Sequence, residues 1–437
     1  MPTSFRPCAP DQSLLFPPSP RDWLPEGHLA FFIADTVAAL DLKALYAPYE
    51  GDGRRNAPFD PQMMVAVLLY SYATGTFSSR RIARKLEEDV AYRVLAAGNF
   101  PAHRTIADFR RQHLAAFEGL FVQVVRIARE AGVRKLGKLA VDGTKLKANA
   151  SKRKAMSYGR MRTEEERLRA EIAALTKRAQ REDEAEDAAH GPEIRGDELP
   201  QQLQRREQRL RTIQAAKQRL EARQAAADRE QGRTPEAGRK GRGRKHFDRD
   251  FGVPEDGAQD NFTDPDSRIM RSGGGFEQCY NAQAVVAEGS QLIVATSLSA
   301  CAADAPALLP LVDAAAKVLE AAPRQVLADA GYRSEDNLQG LEQRRVRAYI
   351  ALGREGKPPA AARSGAATRR LLRRMAGAYG RARYRRRKAV VEPVFGWIKH
   401  ALGFRRFSLR GEAKARSEWN LVCLAVNLKR MQHLLPA

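Results

Sequence analysis

Apolar residues recur at helical spacing through the first third of the chain, and three helices are predicted there. The first spans 58–76 and opens on the pair Asp60-Pro61, a common helix start. The second spans 78–96 and the third 101–130. The apolar stripe of the second helix contains Ile82, Leu86, Val90 and Val94.

The outer faces of these helices are basic, as Arg110 and Arg111 illustrate in the third. Short helices with basic faces can form a helix-turn-helix that reads DNA. They can equally form a plain helical domain whose charges only face water. Both interpretations stay open at this point.

The hydrophobic period then changes from that of a helix to that of a strand. The apolar run Leu139 to Val141 is followed by Asp142-Gly143. It predicts a short buried strand with an acid at its C-terminal end.

Residues 156–250 predict an antiparallel helical hairpin followed by a basic linker. The two helices are separated by an acidic stretch that Gly191-Pro192 interrupts, and 238–250 is basic and rich in glycine. One interpretation gives the hairpin no role beyond spacing. Heptad-like apolar positions are Leu168, Ile172, Leu175 and Ala179 in the first helix and Leu203, Leu210, Ile213 and Leu220 in the second.

Strand and helix patterns alternate from residue 277 onward. Two strands separated by Gly289-Ser290 predict a hairpin, and 305–323 predicts a helix. A strand ending at Asp329 precedes another helix, one more strand and a mainly helical C-terminal region. This alternation predicts an α/β sheet covered by helices.

The charge of the chain narrows the choice of partners. Its 437 residues carry 75 Lys and Arg against 52 Asp and Glu, a formal charge of +23. Such an excess favours a polyanion, with nucleic acid the first candidate and an anionic membrane surface the second. The length suits two or three domains, and the 43 % apolar share predicts mostly globular structure.

Missing motifs exclude several classes of protein. No apolar run approaches the ~20 residues of a membrane-spanning helix. Residues 1–20 lack the apolar core of a signal peptide, so a cytoplasmic protein is expected. The cysteine and histidine spacings argue against disulfides and zinc. The Gly-rich stretches 272–276 and 353–358 lack the phosphate-loop pattern of an ATP motor.

Asp142 and Asp329 share one context, because each follows a short apolar strand. In open α/β sheets, ligands bind at the carboxyl ends of strands, where neighbouring acids would meet. Oxygen ligands suit Mg²⁺ or Mn²⁺, and two such ions ~4 Å apart can cleave a phosphodiester. Two aspartates alone form a weak site for two ions, so a third carboxylate is expected.

Glu392 is the candidate for that third carboxylate. It is the only acid from Arg363 to Arg410, a strongly basic region where Lys or Gln would hold an anion better. On a continuous helix, Lys388 and Lys399 would share its face. Pro393 leaves that continuity open. The expected arrangement is a carboxylate aimed at metal between cations aimed at phosphates.

Three stretches resemble the DDE transposases of bacterial insertion sequences, namely 139–151, 327–338 and 384–411. The last resembles the family's Tyr, Arg, Glu and Lys signature and is the most specific. Segments 58–96 and 261–286 resemble the InsH-like branch. The resemblance implies a catalytic domain with the RNase H-like fold.

The resemblance also implies the residues of the site. Asp142, Asp329 and Glu392 would be the catalytic, metal-binding triad, holding Mg²⁺ or Mn²⁺, with two ions expected. The family spacing of Arg to Glu falls on Lys388, one residue after Arg387, so the choice between these two stays open. The expected DNA-contacting residues are Tyr384, Arg387, Lys388, Lys399, Arg405 and Arg406.

Three further acids compete with the triad. Asp264 and Asp266 lie beside a proline in a stretch that favours a turn. Asp304 is expected to begin or cap the helix that follows it. All three are therefore expected to be structural.

The predicted architecture is an α/β RNase H-like catalytic domain, a mixed sheet with flanking helices, plus an all-α N-terminal domain and an inserted helical hairpin. The expected boundaries are 1–134 for the helical domain, 135–155 for the first part of the catalytic domain, 156–250 for the insertion and linker, and 251–437 for the rest of the catalytic domain with its basic C-terminal helices.

The expected function is that of a DNA transposase. It would hydrolyse a phosphodiester at the ends of its element and transfer the 3′-hydroxyl into target DNA. The expected partners are double-stranded DNA, as terminal inverted repeats and target, and a second copy of the chain, with no membrane, in the nucleoid-associated cytoplasm of a bacterium. The alternatives are an RNase H-like nuclease without strand transfer and a catalytically decayed DNA-binding protein.

Overall fold

The computed structural model describes residues 19–50, 57–133, 137–190, 201–237, 247–273, 275–353 and 365–435. The start of the chain at 1–18, the acidic interruption at 191–200 and most of the predicted basic linker, 238–246, lie outside these ranges.

Helices form the N-terminal region. Asp60 caps the predicted helix at 61–73, because its side chain accepts a hydrogen bond from Gln62 N at 2.9 Å. Gly75 ends that helix with φ +77°, and a Cβ there would lie 2.8 Å from Leu402 O. The helices are α1 (Leu29–Ala38), α2 (Lys43–Tyr46), α3 (Pro61–Ala73), α4 (Ser79–Glu88), α5 (Val90–Ala96), α6 (His103–Gln112) and α7 (Ala116–Glu130).

Two of the three helices predicted here are each divided in the structure. Asp89 adopts extended angles, φ −117° and ψ 122°, and its side chain caps α5 through Ala91 N. A turn at 113–115 likewise separates α6 from α7. The single stripe predicted through Val90 and Val94 was therefore wrong, and a side chain that competes for backbone N–H groups is the cause at Asp89.

A six-stranded mixed sheet forms the centre of the catalytic region. The long strand β5 pairs antiparallel with β1, β4 and β6, whereas β7 pairs parallel with both β1 and β8. The predicted α/β class with a mixed sheet is confirmed. The strands are β1 (Lys138–Lys147), β4 (Arg268–Ser272), β5 (Gly275–Ala287), β6 (Ile293–Ser299), β7 (Gln325–Ala328) and β8 (Arg347–Ile350), and β2 (Ala155–Ser157) and β3 (Gln259–Asn261) form a separate pair.

Strand β1 is longer than its apolar run predicted. It continues past Asp142 to Lys147, where it still pairs with Cys279 of β5. Asp142 therefore lies within the strand rather than at its end. The polar residues after Asp142 are held by the long partner strand, which the sequence of β1 alone does not reveal.

The remaining helices flank the sheet or form the insertion. The long helices of the insertion run antiparallel and are joined by ion pairs such as Arg206–Glu171 at 2.7 Å and Lys217–Glu165 at 3.0 Å. The helices are α8 (Tyr158–His190), α9 (Gln201–Glu230), α10 (Leu308–Leu319), α11 (Glu335–Gln343), α12 (Ala366–Ala376), α13 (Ala378–Gly396) and α14 (Glu412–Leu434). No helix in the described ranges combines the length and apolarity needed to cross a membrane.

One continuous hydrophobic core includes the N-terminal helices and the sheet. Helix α14 joins them, because it packs against α3, α7 and β6. Its Glu418 is fully buried and accepts hydrogen bonds from Tyr72 of α3 and from Ser408 and Leu409 in the preceding loop. Glu418 therefore holds that basic loop against the N-terminal helices.

Replacement of Glu418 should test this connection. Glu418→Ala leaves several buried donors without an acceptor, so it should lower the free energy of unfolding by about 3 kcal/mol or more in urea titrations. Glu412→Ala on the same helix removes only a partly exposed pair with Arg416 and should cost less than about 1 kcal/mol. Equal losses for the two variants would contradict this role of Glu418.

Candidate active site

The parallel register of β1 and β7 brings Asp142 and Asp329 together. Ala140 pairs with Leu327. Asp142 and Asp329 lie two residues further along each chain, just beyond the last paired residues of this ladder, so the two strands bring them close to each other. The two carboxylates lie within electrostatic range, since Asp329 contributes to raising the pKa of Asp142.

Asp142 is held in an ion pair. Arg387 Nη1 donates to Asp142 Oδ2 at 2.8 Å, and Gly143 N donates to Oδ1 at 2.9 Å. Burial raises the pKa of Asp142, and the charge of Arg387 only partly offsets that increase. Burial alone would lower the pKa of Arg387, but the Asp142 carboxylate, Tyr384 and Asp329 together outweigh it, so the net change is upward.

Asp329 begins a tight turn immediately after β7. Its Oδ1 accepts a hydrogen bond from Gly331 N at 2.8 Å. A Cβ at Gly331 would lie 3.1 Å from that oxygen and 3.0 Å from Oδ2 of Asp304. Glycine at this position thus leaves room for two carboxylates, and Asp304 is part of the same acidic edge.

Asp304 is the residue that the sequence interpretation missed. It forms no capping hydrogen bond to the following helix. Instead its Oδ1 accepts from Lys145 at 3.0 Å and from Asn281 and Gln283 at 2.8 Å each. These partners come from β1 and β5, so only the tertiary pairing of the strands could have revealed the network.

Helix α13 is fixed over the sheet by two arginines one turn apart. Arg383 pairs with Glu288 at 2.6 Å and donates to Gln325 at 2.7 Å, at the edge where β7 begins. Arg387 follows one turn later and meets Asp142. Both arginines are largely buried, so this contact sets the position of the whole helix.

Glu392 lies on α13 but is not grouped with the two aspartates. The helix is continuous through Pro393 to Gly396 and is followed by a π-helical turn at Trp397–Ala401. Glu392 is exposed, and in the described part of the chain it forms no hydrogen bond or ion pair. Five residues separate it from Arg387, about 140° around the helix, so the two side chains diverge.

One side of α13 contacts the β5–β6 turn and Glu288. Gln291, in that turn, donates to the carbonyl of Ala389 at 3.3 Å. Arg386 lies 3.3 Å from Glu288. Helical periodicity places Glu392 neither on this side nor on the side of Arg387, so its side chain projects into solvent.

The predicted DNA-contacting residues on α13 and after it differ in their exposure and surroundings. Lys388 is exposed one turn before Glu392, whereas Tyr384 is half-buried. Burial lowers the pKa of Lys399, the charge of Arg405 lowers it further, and the nearby Asp142 carboxylate opposes both. Lys399 thus lies within electrostatic range of the acidic edge, while Arg387 is committed to Asp142.

The loop before α14 extends the end of β1. Lys147 N donates to Arg405 O at 3.1 Å, and Phe407 N donates to Lys147 O at 2.9 Å. Arg405 and Arg406 are exposed on this segment. Their backbone is therefore fixed beside the strand that carries Asp142.

The donor set fits a divalent cation in part. Asp142 and Asp329 supply adjacent carboxylate oxygens, the ligands that Mg²⁺ and Mn²⁺ prefer. Within the described ranges, no group of three or more His, Cys, Asp or Glu side chains is arranged to hold a metal ion. The third ligand would have to come from an exposed acid at this edge.

Two family models match the chain. Residues 248–428 match a transposase DDE domain, and residues 18–112 match a transposase domain (DUF772). Asp329 and Glu392 lie inside the first range, whereas Asp142 lies outside both. No curated protein and no solved structure gave a significant match.

Both matched models are transposase domains, and together they cover more than half of the chain. The chain is thus a transposase. It belongs to the DDE transposases of insertion sequences. The finer similarity to the InsH-like branch stays a prediction.

Replacement of Arg387 should test the ion pair. Arg387→Met leaves the charge of Asp142 uncompensated beside Asp329, so the free energy of unfolding should fall by about 3 kcal/mol at neutral pH. Burial keeps the pKa of Asp142 above its value in the unfolded chain. The native state therefore binds the proton more strongly, and the loss should shrink as pH falls toward the raised pKa.

Arg386→Met provides the matched control in urea titrations at several pH values. Its side chain is 69 % exposed and pairs with Glu288 on the other side of α13. It should lower the free energy of unfolding by less than about 1 kcal/mol, and this loss should stay constant until the pH is low enough to protonate Glu288, whose pKa is lowered by Arg383 and Arg386. An Arg387→Met loss that does not change with pH would count against the pairing described here.

Proposed function

We propose that this transposase cleaves a phosphodiester at the ends of its element and joins the freed 3′-hydroxyl to target DNA. The observation that carries the proposal is that the pairing of β1 with β7 brings the carboxylates of Asp142 and Asp329 close together, with exposed Arg405 and Arg406 beside the strand that carries Asp142. The order of the strands supports an RNase H-like catalytic domain. The β5–β6 hairpin lies on one side of β1, and the parallel strands β7 and β8 lie on the other.

Asp142 and Asp329 would hold Mg²⁺ or Mn²⁺, and Glu392 would complete the triad from α13. When bound, such ions activate a water or hydroxyl and stabilise the leaving oxygen, and two ions are proposed here. Glu392 must turn inward from its exposed position to reach the pair. The chain's own cationic groups neutralise the phosphate that approaches the acids.

The basic residues at this edge divide into two roles. Arg387 compensates Asp142 and fixes its orientation. Lys388, Lys399, Arg405 and Arg406 would hold the DNA backbone, with Tyr384 beside them. Lys388 is better placed than Arg387 for a phosphate in this conformation, because it is exposed and Arg387 is buried.

The proposed partner is double-stranded DNA, both the terminal inverted repeats and the target. Joining two element ends requires two active sites, so a homodimer on DNA is proposed by analogy. An RNase H-like nuclease without strand transfer, and a decayed DNA-binding protein, are the competing proposals. Strand transfer separates the first from the proposed function, and metal-dependent cleavage separates the second.

The carboxylate pair can be tested with two duplexes that carry the sequence flanking the gene: an uncut duplex to measure cleavage, and a pre-cut duplex to measure joining to a plasmid target. The unmodified chain with Mg²⁺ should join the 3′-hydroxyl to the plasmid. Asp142→Asn and Asp329→Asn should each reduce joining and cleavage by roughly 10³-fold while leaving DNA binding in EDTA intact.

Asp336→Asn, an exposed acid in the first turn of α11, is the matched control and should react normally. Cleavage without joining by the unmodified chain would support the nuclease alternative. Normal reaction by Asp142→Asn would overturn the assignment of the triad.

Lys399 offers a test of the phosphate contacts. Lys399→Met should weaken DNA binding and reduce the slope of log affinity against log salt by about 1. Lys317→Met is the control, because this exposed residue in the last turn of α10 lies near the start of β7, at the opposite edge of the sheet. Identical salt slopes for both variants would show that Lys399 contacts no phosphate.

A further inference from the structure

The hairpin formed by β4 and β5 carries an apolar side chain into solvent. Phe276 is 60 % exposed, and Ile269 on the neighbouring strand is 37 % exposed. Phe276 lies directly opposite Arg271, so the two side chains project from the same face. A single exposed apolar residue is common on protein surfaces. The residues around Phe276 must therefore show whether it has a function.

The register of β5 places Phe276 on the same side of the sheet as Asp142. Ala284 lies opposite Asp142 in the antiparallel ladder, so both point the same way. Phe276 precedes Ala284 by eight residues. Because side chains alternate between the two faces of a strand, this even number places both side chains on the same face. At about 3.4 Å per residue the separation is about 27 Å. That length corresponds to about eight base pairs of a DNA duplex.

Basic side chains lie between the acidic edge and Phe276. Phe407 packs edge-on against Tyr280 of β5, with ring centroids 5.8 Å apart. This contact buries the apolar side of the loop and leaves Arg405 and Arg406 exposed. A polyanion lying along this face would meet these arginines before it reached the hairpin.

Cations also line the other face of the hairpin's base, because Lys147 and Glu277 alternate with the residues on the side of Asp142 and Phe276. Lys147 Nζ lies 3.1 Å from Glu277 Oε1, and this hydrogen bond lowers the pKa of Glu277. The charges of Lys152 and Arg406 lower it further, so both are nearby. Lys152 begins an exposed turn of three basic residues, 152–154. The single acid is thus outnumbered by the cations around it.

We propose that the β4–β5 hairpin is a DNA wedge, with Phe276 inserted between base pairs of the duplex whose end lies at Asp142 and Asp329. The insertion point would be about eight base pairs from the reacting end. Arg271 would contact an adjacent phosphate. Apolar wedges beside cations are an established way for proteins to grip and bend DNA. This inference rests on the proposed function.

The charge around Phe276 favours DNA over a second copy of the chain. Contact between two copies through this face would bring the two sets of cations together, and like charges repel. A duplex neutralises the same cations and supplies the base step that an apolar side chain can enter. DNA therefore fits both features of the surface.

The test uses the full chain in EDTA and a set of pre-cut duplexes that end in the sequence flanking the gene. Each duplex carries one 2-aminopurine, whose fluorescence rises when its neighbours unstack. The unmodified chain should give a rise confined to positions about eight base pairs from the 3′-hydroxyl end. Phe276→Ala should abolish that rise and weaken binding by about tenfold.

Two further variants complete the comparison. Phe276→Leu retains an apolar wedge and should keep most of the rise. Trp23→Ala removes an aromatic of similar exposure, 58 %, in the N-terminal region and should change nothing. Since Phe276 is largely exposed, all variants should unfold at nearly the same temperature as the unmodified chain.

Four results would overturn the wedge. The first is a Phe276→Ala variant that binds the duplex and raises the 2-aminopurine fluorescence as the unmodified chain does. The second is a Phe276→Ala variant that dissociates a dimer in the absence of DNA without changing the fluorescence, which would assign the face to a second copy. The third is an unmodified chain that binds no DNA, which would also end the proposed function. Continued strand transfer with no position-specific rise removes the wedge alone.

Discussion

The parallel pairing of β1 with β7 is the constraint on which the rest of the site depends. It brings Asp142 and Asp329 close together, where two carboxylates repel each other and burial disfavours the charge of Asp142. Such a pair requires positive charge nearby, and Arg387 supplies it in this conformation. The arrangement explains why a buried arginine points at an acid in a protein whose surface cations greatly outnumber its acids.

Helix α13 carries both the arginine that compensates Asp142 and residues that are proposed to contact DNA. On its inner side, Arg383 forms an ion pair with Glu288 and Arg387 forms one with Asp142. These two ion pairs, one turn apart, determine the position of the helix over the sheet. Its outer side presents Lys388 and Glu392 to solvent. A single helix can thus compensate the acids, contribute a third carboxylate and contact phosphate, provided that Glu392 turns inward when DNA and metal ions bind.

The sequence predicted those features that depend on local pattern. The start of β1, the strand that ends just before Asp329 and the N-cap at Asp60 follow from hydrophobic period and turn chemistry. Most of the features it missed, including the continuation of β1 past Asp142, depend on residues far apart in the chain. Asp304 was interpreted as a helix cap because its partners Lys145, Asn281 and Gln283 become neighbours only when β1 and β5 pair. The break at Asp89 reflects competition between a side chain and the helix, and the role of Arg387 depends on an ion pair across 245 positions.

The proposed chemistry depends on Asp142 and Asp329 holding a divalent cation together. Fe²⁺ can replace Mg²⁺ in such a site and, with peroxide and ascorbate, generates radicals that cut the nearby backbone. Mass spectrometry of the fragments then maps the position of the ion. We expect backbone cuts within a few residues of both Asp142 and Asp329, and we expect excess Mg²⁺ to suppress them. Cuts at one of these aspartates only, or confined to another acidic stretch such as that around Asp264, would contradict it.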